Sequence, residues 1–203
     1  MRKIYFMLIL FVVSTTSLFS LSWVSLGGEY QHAGFSKTIG YDLSVRTLDS
    51  AGFNATMFDY SRSEALGYIT RFSFLFPYKQ SFNDVEADFS SPRFKGNFSL
   101  MFAPAFYIPL GSLGLAYFGV GSNTTFITLQ HGSEAREEYL IGVVAELGIM
   151  TAFTPYGFLH LGAIGDYSFA LYVSSTNYYG WKNDDVYGGF SIRPYIGWGI
   201  WVD

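Results

Sequence analysis

Residues 192–200 read Ile-Arg-Pro-Tyr-Ile-Gly-Trp-Gly-Ile, and the alternation within this stretch decides the class of fold. Its even positions are apolar, whereas its odd positions carry an arginine, a tyrosine and two glycines. Successive side chains of a β-strand point to opposite faces of the sheet, so this segment has one apolar face and one small or polar face. The stretch therefore predicts a strand that separates two different environments.

The same alternation recurs along the chain. In residues 139–149 and 159–173 the odd positions are mainly apolar, and the even positions include Glu146, His160 and Asp166. Between turn signals we predict eight strands, at residues 23–34, 44–60, 66–76, 94–107, 113–127, 138–152, 157–173 and 187–201.

Two of these strands are less regular than the others. In residues 44–60 the alternation is poor, and Gly52 and Asn54 are typical of a bulge or a loop. In residues 113–127 the strand is clear, but the pattern leaves open which face is which.

The predicted connections alternate in length. The short ones lie at residues 61–65, 108–112 and 153–156, and the longer, more polar ones at 78–93, 128–137 and 174–186. Tight periplasmic turns that alternate with larger extracellular loops are typical of outer-membrane barrels. With an even number of strands, both ends of the barrel sequence would lie on the periplasmic side.

Composition excludes several classes of protein. Of the 203 residues, 20% are aromatic and only 14% are charged, which is the opposite of a disordered chain. The net charge of −4 and the lack of a basic run argue against nucleic-acid binding. Cysteine is absent, which rules out disulfides, thiolate metal sites and a cysteine nucleophile. No linker or repeat divides the chain, so we predict one domain at residues 23–203.

The first residues have the layout of a secretory signal. Arg2 and Lys3 precede an apolar run over residues 4–13, and small residues follow, with Ser20 and Ser22 in the positions expected at a cleavage site. A run of this length is short for a membrane anchor, which needs about 20 apolar residues. We predict a signal peptide at residues 1–22, cleavage after Ser22, and export to the bacterial outer membrane.

Alternation alone allows two barrel types. In a soluble barrel or sandwich the apolar faces point inward, whereas in a membrane barrel they point to lipid. The less apolar faces carry many glycines and few charges, too few for a water-exposed surface. Aromatic residues such as Phe74, Phe76 and Trp198 gather near strand ends, where membrane girdles lie. We predict an all-β, eight-stranded, antiparallel, up-and-down transmembrane β-barrel.

Two stretches also carry a resemblance. The run Phe-Ser-Phe-Leu-Phe-Pro at 72–77 and the ending at 192–199 resemble small outer-membrane barrels of spirochaetes, and the pattern is similar to the OmpA transmembrane domain, OmpX and OmpW. The resemblance implies outer-membrane residence, a small or blocked lumen, lipid as a partner and insertion by the barrel assembly machinery. Such chains commonly finish on an aromatic residue, whereas here Val202 and Asp203 follow Trp201.

The inward faces carry ionisable residues whose strand positions place them at similar depths. We predict a polar network that closes the lumen, formed by Glu29, Arg71, Glu146, Asp166 and Arg193. Barrel closure puts the last strand beside the first, so Arg193 is expected between Asp166 and Glu29. Lys95 would make the balance three acids against three bases, which suits a plug better than an ion-selective pore. The alternative is that these side chains solvate a water-filled interior.

Catalytic and metal chemistry find little support. His32, His131 and His160 fall in different segments without ligand spacing, so we predict no metal and no cofactor. His160 is expected to be a hydrogen-bonded interior residue, and His32 and His131 to lie near the outer rim. The acidic residues of the loops have no calcium-loop spacing and are expected to be solvated; they are Asp84, Glu86, Asp88, Asp184 and Asp185.

These observations favour a non-enzymatic scaffold that presents surface loops, for envelope integrity or for contact with an extracellular ligand. A narrow channel for small apolar solutes, as the likeness to OmpW suggests, is the alternative. An enzyme acting on lipid at the rim, using His32 or His131, is the third possibility. No nucleic-acid partner is expected.

Overall fold

The computed structural model of the chain describes residues 23–39, 42–59, 66–87, 92–111, 114–131, 134–154, 157–175 and 188–201. The predicted signal peptide and nearly all of the predicted connection at 174–186 lie outside the described residues. No α-helix in the described part is long and apolar enough to cross a membrane.

Within these ranges, nine strands form one antiparallel sheet, of which eight make the wall and one is a short addition. They are β1 (Trp23–Ile39), β2 (Asp42–Asp59), β3 (Leu66–Phe82), β4 (Val85–Ala87), β5 (Pro92–Pro109), β6 (Leu115–His131), β7 (Glu134–Thr154), β8 (Gly157–Ser175) and β9 (Gly188–Trp201). Each wall strand pairs with its neighbour in sequence, and β1 also pairs with β9. The sheet is therefore closed, and the predicted eight-stranded up-and-down barrel is confirmed.

The pairing register shows how far the strands are staggered. When the partners of Val24 are followed strand by strand round the sheet, the path returns to β1 at Gly34, a shear of ten residues. A stagger of this size in eight strands corresponds to a tilt of roughly 40° and a narrow interior that side chains fill. We call the end of the barrel with Trp23 and Trp201 the terminal end, and the opposite end the loop end.

The strands extend further towards the loop end than predicted. Residues 78–93 and 128–137 were expected to be loops, but β3 continues to Phe82 and β6 continues to His131. After β3 the chain reverses at Asn83 and Asp84, both with positive φ, and returns as β4. Two consecutive residues in this conformation make the tight hairpin turn that suits twisted strands, so pairing continues where a polar sequence indicated a loop.

The uncertain segment at 44–60 is a regular strand. Gly52 faces the lumen, where a Cβ atom would overlap the carbonyl oxygen of Phe74, so glycine permits close approach of two strands. The bulge lies elsewhere, at the register shift between Asp49 and Ser50, opposite Tyr78. The expectation of a bulge or loop at Gly52 and Asn54 was therefore wrong.

The two faces of the wall differ as a membrane barrel requires. Large apolar side chains are exposed on the outside, including Phe53 at 62%, Val143 at 65% and Ile196 at 56%. The inside holds buried polar groups, and on β6, whose facing was open, the odd residues Tyr117 and Asn123 point inward. Apolar groups outside and polar groups inside are the reverse of a soluble barrel.

Outward-facing aromatic rings gather towards both ends of this apolar wall. Tyr68 stacks on Phe102 towards the terminal end, with ring centroids 5.6 Å apart. Nearer the loop end, Phe126 lies 4.6 Å from Tyr139 between centroids. Rings in these positions match the interfacial girdles of membrane barrels.

The outward polarity gives a direct test. Val120 faces out from the middle of the apolar wall, and Val85 is exposed on β4 beyond it. We expect Val120→Arg to lower the free energy of unfolding by about 2–4 kcal/mol, because a cation would then face hydrocarbon at mid-depth. Val85→Arg should change it by less than about 0.5 kcal/mol, since that side chain meets water. Equilibrium unfolding from lipid vesicles measures both, and equal effects would contradict the assigned wall.

Candidate functional site

An aromatic cluster fills the lumen at the terminal end. Trp23 packs on Phe58 and on Phe158, with ring centroids 5.7 Å apart in each case, and on Tyr107 at 6.2 Å. All four side chains are buried, and Met150 belongs to the same cluster. This cluster, which we call the aromatic plug, excludes water from the end of the barrel that carries the short connections.

A hydrogen-bonded layer lies directly above the plug. The hydroxyl groups of Tyr117 and Tyr195 each lie 2.6 Å from Oε1 of Glu146 and donate to it. Nε2 of His160 lies 2.7 Å from the Tyr117 hydroxyl, and its Nδ1 is 3.2 Å from Oγ of Ser25. His160 thus occupies the interior at the terminal end, where the sequence placed it.

The five ionisable residues predicted to line the lumen lie in one continuous chain of contacts. Glu146 pairs with Arg71 through Oε1 and Nη2. Arg71 Nη1 lies 3.9 Å from Oε2 of Glu29, whose Oε1 lies 3.4 Å from Nη1 of Arg193. Nη2 of Arg193 lies 3.2 Å from Oδ2 of Asp166. The order is acid, base, acid, base, acid, and we call this chain the ion network.

Neutral groups provide further partners for the ion network. Ser73 Oγ donates to Oε2 of Glu29 at 2.8 Å, and Arg193 Nη1 donates to Ser99 Oγ at 3.1 Å. Ser168 and Ser191 both donate to the carboxylate of Asp166. The guanidinium of Arg71 also lies over the ring of Tyr195, 3.8 Å from its centroid. Charges removed from bulk water are tolerable when they are paired and hydrogen-bonded in this way.

The described part of the ion network holds two of the three bases in the predicted tally. Three carboxylates face two guanidinium groups, and the side chain of Lys95 lies outside the described residues. Among the described lumen side chains the carboxylates and guanidinium groups alternate, whereas an ion-selective pore would favour one sign. The alternation of signs across the barrel instead ties opposite walls together.

A second ion pair closes the loop end, and sequence reasoning missed it. Arg46 donates to both carboxylate oxygens of Glu138, at 2.5 and 2.7 Å, and its guanidinium lies 4.9 Å from the centroid of Phe35. Buried apolar side chains lie between this pair and the ion network, at Leu48, Leu75, Ile127 and Leu140. Arg46 lies an even number of residues from Gly52, which faces the lumen, so strand alternation places Arg46 on the inward face as well. The irregular pattern of residues 44–60 obscured this relation in the sequence.

Of the remaining candidate residues, only the side chains of His32 and Asp84 fall within the described set. Nδ1 of His32 lies 2.6 Å from Oδ1 of Asp49 on the outside of the wall, and within the described residues no serine or threonine hydroxyl hydrogen-bonds to His32. His131 ends β6, and its side chain is outside the described set. No group of three metal-ligating side chains comes together in the described ranges. Asp84 lies in the exposed β3–β4 turn; Asp184 and Asp185 are not described.

Comparison with known proteins bears on the fold. No protein-family model and no curated protein matches the chain. Among solved structures, Neisserial surface protein A (NspA) is 14% identical with a TM-score of 0.57, over 87% of this chain and 96% of that one. Outer membrane protein OprG of Pseudomonas aeruginosa is 12% identical with a TM-score of 0.57, over 91% and 97%. The chain has the fold of these small outer-membrane barrels, as the resemblance in the sequence implied.

The ion network predicts a marked dependence of stability on Arg193. Arg193→Met should lower the free energy of unfolding by about 3–5 kcal/mol, because the carboxylates of Glu29 and Asp166 lose a buried cationic partner. Removing one of those carboxylates as well, in Arg193→Met/Asp166→Asn, should recover part of the loss. Denaturant unfolding in vesicles measures both variants. If Arg193→Met lowered the free energy of unfolding by less than about 1 kcal/mol, as for a solvent-exposed ion pair, the ion network would not be buried and paired as described.

Proposed function

We propose that this protein is a non-enzymatic outer-membrane barrel with a closed lumen, and that its loop end is a scaffold for contacts outside the cell. The observation that carries the proposal is the filling of the lumen at three depths. The aromatic plug, the ion network and the Arg46–Glu138 pair each reach across the barrel through buried side chains. A barrel filled in this way is a rigid support.

The shape of the loop end supports a role in contact. Thr47 and Glu137 mark the outward-facing polar part of the wall, and β1, β3 and β7 continue beyond it to Ile39, Phe82 and Glu134. These extensions are five residues long on β1, one on β3 and three on β7. At about 3.3 Å per residue along strands tilted by roughly 40°, they would carry a β-structured rim roughly 3–13 Å beyond this polar part of the wall. Rigid elements that position exposed segments are a common basis for binding.

The partners follow from this placement. Outer-membrane lipid would surround the apolar wall, and the barrel assembly machinery would insert the chain. An extracellular ligand would meet the loop end. Nothing in the charge pattern favours nucleic acid, because the net charge is −4.

The channel alternative is less well supported. Small apolar solutes would have to pass buried carboxylates and guanidinium groups, including Glu29, Arg71 and Arg193. Desolvated charges and hydrogen-bonded hydroxyls offer such solutes no apolar path through the lumen. A rim enzyme acting on lipid would require a nucleophile beside His32, and the described residues place only Asp49 against its ring.

Vesicle swelling tests the closed lumen. We expect the folded protein to add no measurable permeability to small sugars or small apolar solutes compared with protein-free vesicles. Trp23→Ala/Phe158→Ala, which opens the aromatic plug, should still add none, because the ion network lies above it. Rapid swelling with the wild-type protein would contradict the proposal and favour the channel.

A lipid-turnover assay separates the scaffold from the rim enzyme. Reconstituted protein and His32→Ala/His131→Ala should leave radiolabelled phospholipid and lipopolysaccharide equally unchanged. Release or transfer of an acyl chain by the wild-type protein alone would show that the barrel is an enzyme.

A further inference from the structure

A polar row crosses the outside of the wall where apolar side chains are expected. His32 on β1 and Lys79 on β3 are the register partners of Asp49 on β2, one on each side. The carboxylate lies 2.6 Å from Nδ1 of His32 and 3.1 Å from the hydroxyl of Tyr30, which donates to the same oxygen. Two basic residues therefore flank one acid on three adjacent strands.

This row marks the edge of the apolar wall. On β2 the outward residues change from Phe53 and Ala51 to Asp49 and then to Thr47, which hydrogen-bonds to Ser81 on β3 at 2.6 Å. On the side of β9, the register partner of His32 is the exposed Ile192. Ionisable groups are costly in hydrocarbon, so their row locates the level at which lipid headgroups begin.

The chemistry of the row suits an anion. Asp49 engages Nδ1 of His32, which leaves the half-exposed imidazole free to present Nε2 outward. Lys79 is exposed, and no described carboxylate lies within ion-pair distance of its ammonium group. A phosphate placed between them would meet the ammonium group of Lys79 and, when the imidazole carries both protons, the Nε2–H of His32.

We propose that His32 and Lys79, positioned by Asp49 and Tyr30, bind the phosphate of an anionic lipid headgroup in the leaflet at the loop end. The inference goes beyond the scaffold role, although it rests on the same placement of the apolar wall in lipid. The lipid is favoured over a soluble anion because the row borders Phe76 and Ile192, against which acyl chains would pack.

Native mass spectrometry of the intact barrel in detergent tests this site with phosphatidylglycerol and phosphatidylcholine as probes. The wild-type protein should bind phosphatidylglycerol at least about fivefold more tightly, and His32→Gln/Lys79→Gln should remove that preference. Arg136→Gln is a control for the loss of charge, since it removes one basic residue from β7, which pairs with neither β1 nor β3. This control should keep the wild-type preference.

Three results would overturn the inference: no preference in the wild type, an unchanged preference in the double variant, or an equal loss in Arg136→Gln. Inorganic phosphate is the competitor, and displacement of the lipid by an equal concentration of it would show a free-anion site instead. Vesicle swelling does not depend on these exposed residues, so failure of the lipid site would leave the closed scaffold standing.

Discussion

Closure of the sheet between β1 and β9 is the constraint on which the rest of the structure depends. A strand in hydrocarbon has no water to satisfy its backbone groups, so an open edge is not tolerated within a bilayer. The antiparallel pairing that runs from Trp23 and Trp201 to Ser36 and Gly188, interrupted at Tyr30 and Gln31, removes that edge. Once the ring is closed, every second residue must face lipid and the others must share a narrow interior.

The narrow interior explains the unusual use of charge. Large groups such as Arg71, Arg193 and Phe58 are fully buried there. Glycine makes room for other large side chains in the lumen, because a Cβ atom at Gly148 would overlap the ring of Tyr117. Neutralising contacts then have to come from other walls of the barrel, as with Glu29, which contacts Arg71 on β3 and Arg193 on β9. These contacts join strands on different sides of the barrel and stiffen it. A stiff barrel suits the proposed role of a support that presents its loop end.

Much of this arrangement could be predicted from sequence because strand alternation is a local property. Gly142, Glu146 and Gly148 are separated by even numbers of residues, so they lie on the same face of any strand. This alternation was enough to predict which side chains point into the lumen. Pairing beyond the membrane was not predictable, since the polar residues near Asn83 and His131 suit a loop as well as a solvated hairpin. The Arg46–Glu138 pair and the His32–Asp49 contact depend on register between strands, which a single sequence does not encode locally.

The most direct test of the account is the accessibility of single cysteines along β9 in the reconstituted protein, which has no native cysteine. Spin labels attached to cysteines introduced at Ile192 and Ile196 should be relaxed by oxygen, which dissolves in the bilayer. The same labels should not be relaxed by a water-soluble nickel chelate. Cysteine at Ser191 should resist a water-soluble maleimide until the barrel is unfolded. The opposite pattern, with the isoleucine positions exposed to the chelate and the protein monomeric without detergent, would contradict a wall that faces lipid and a lumen that is filled.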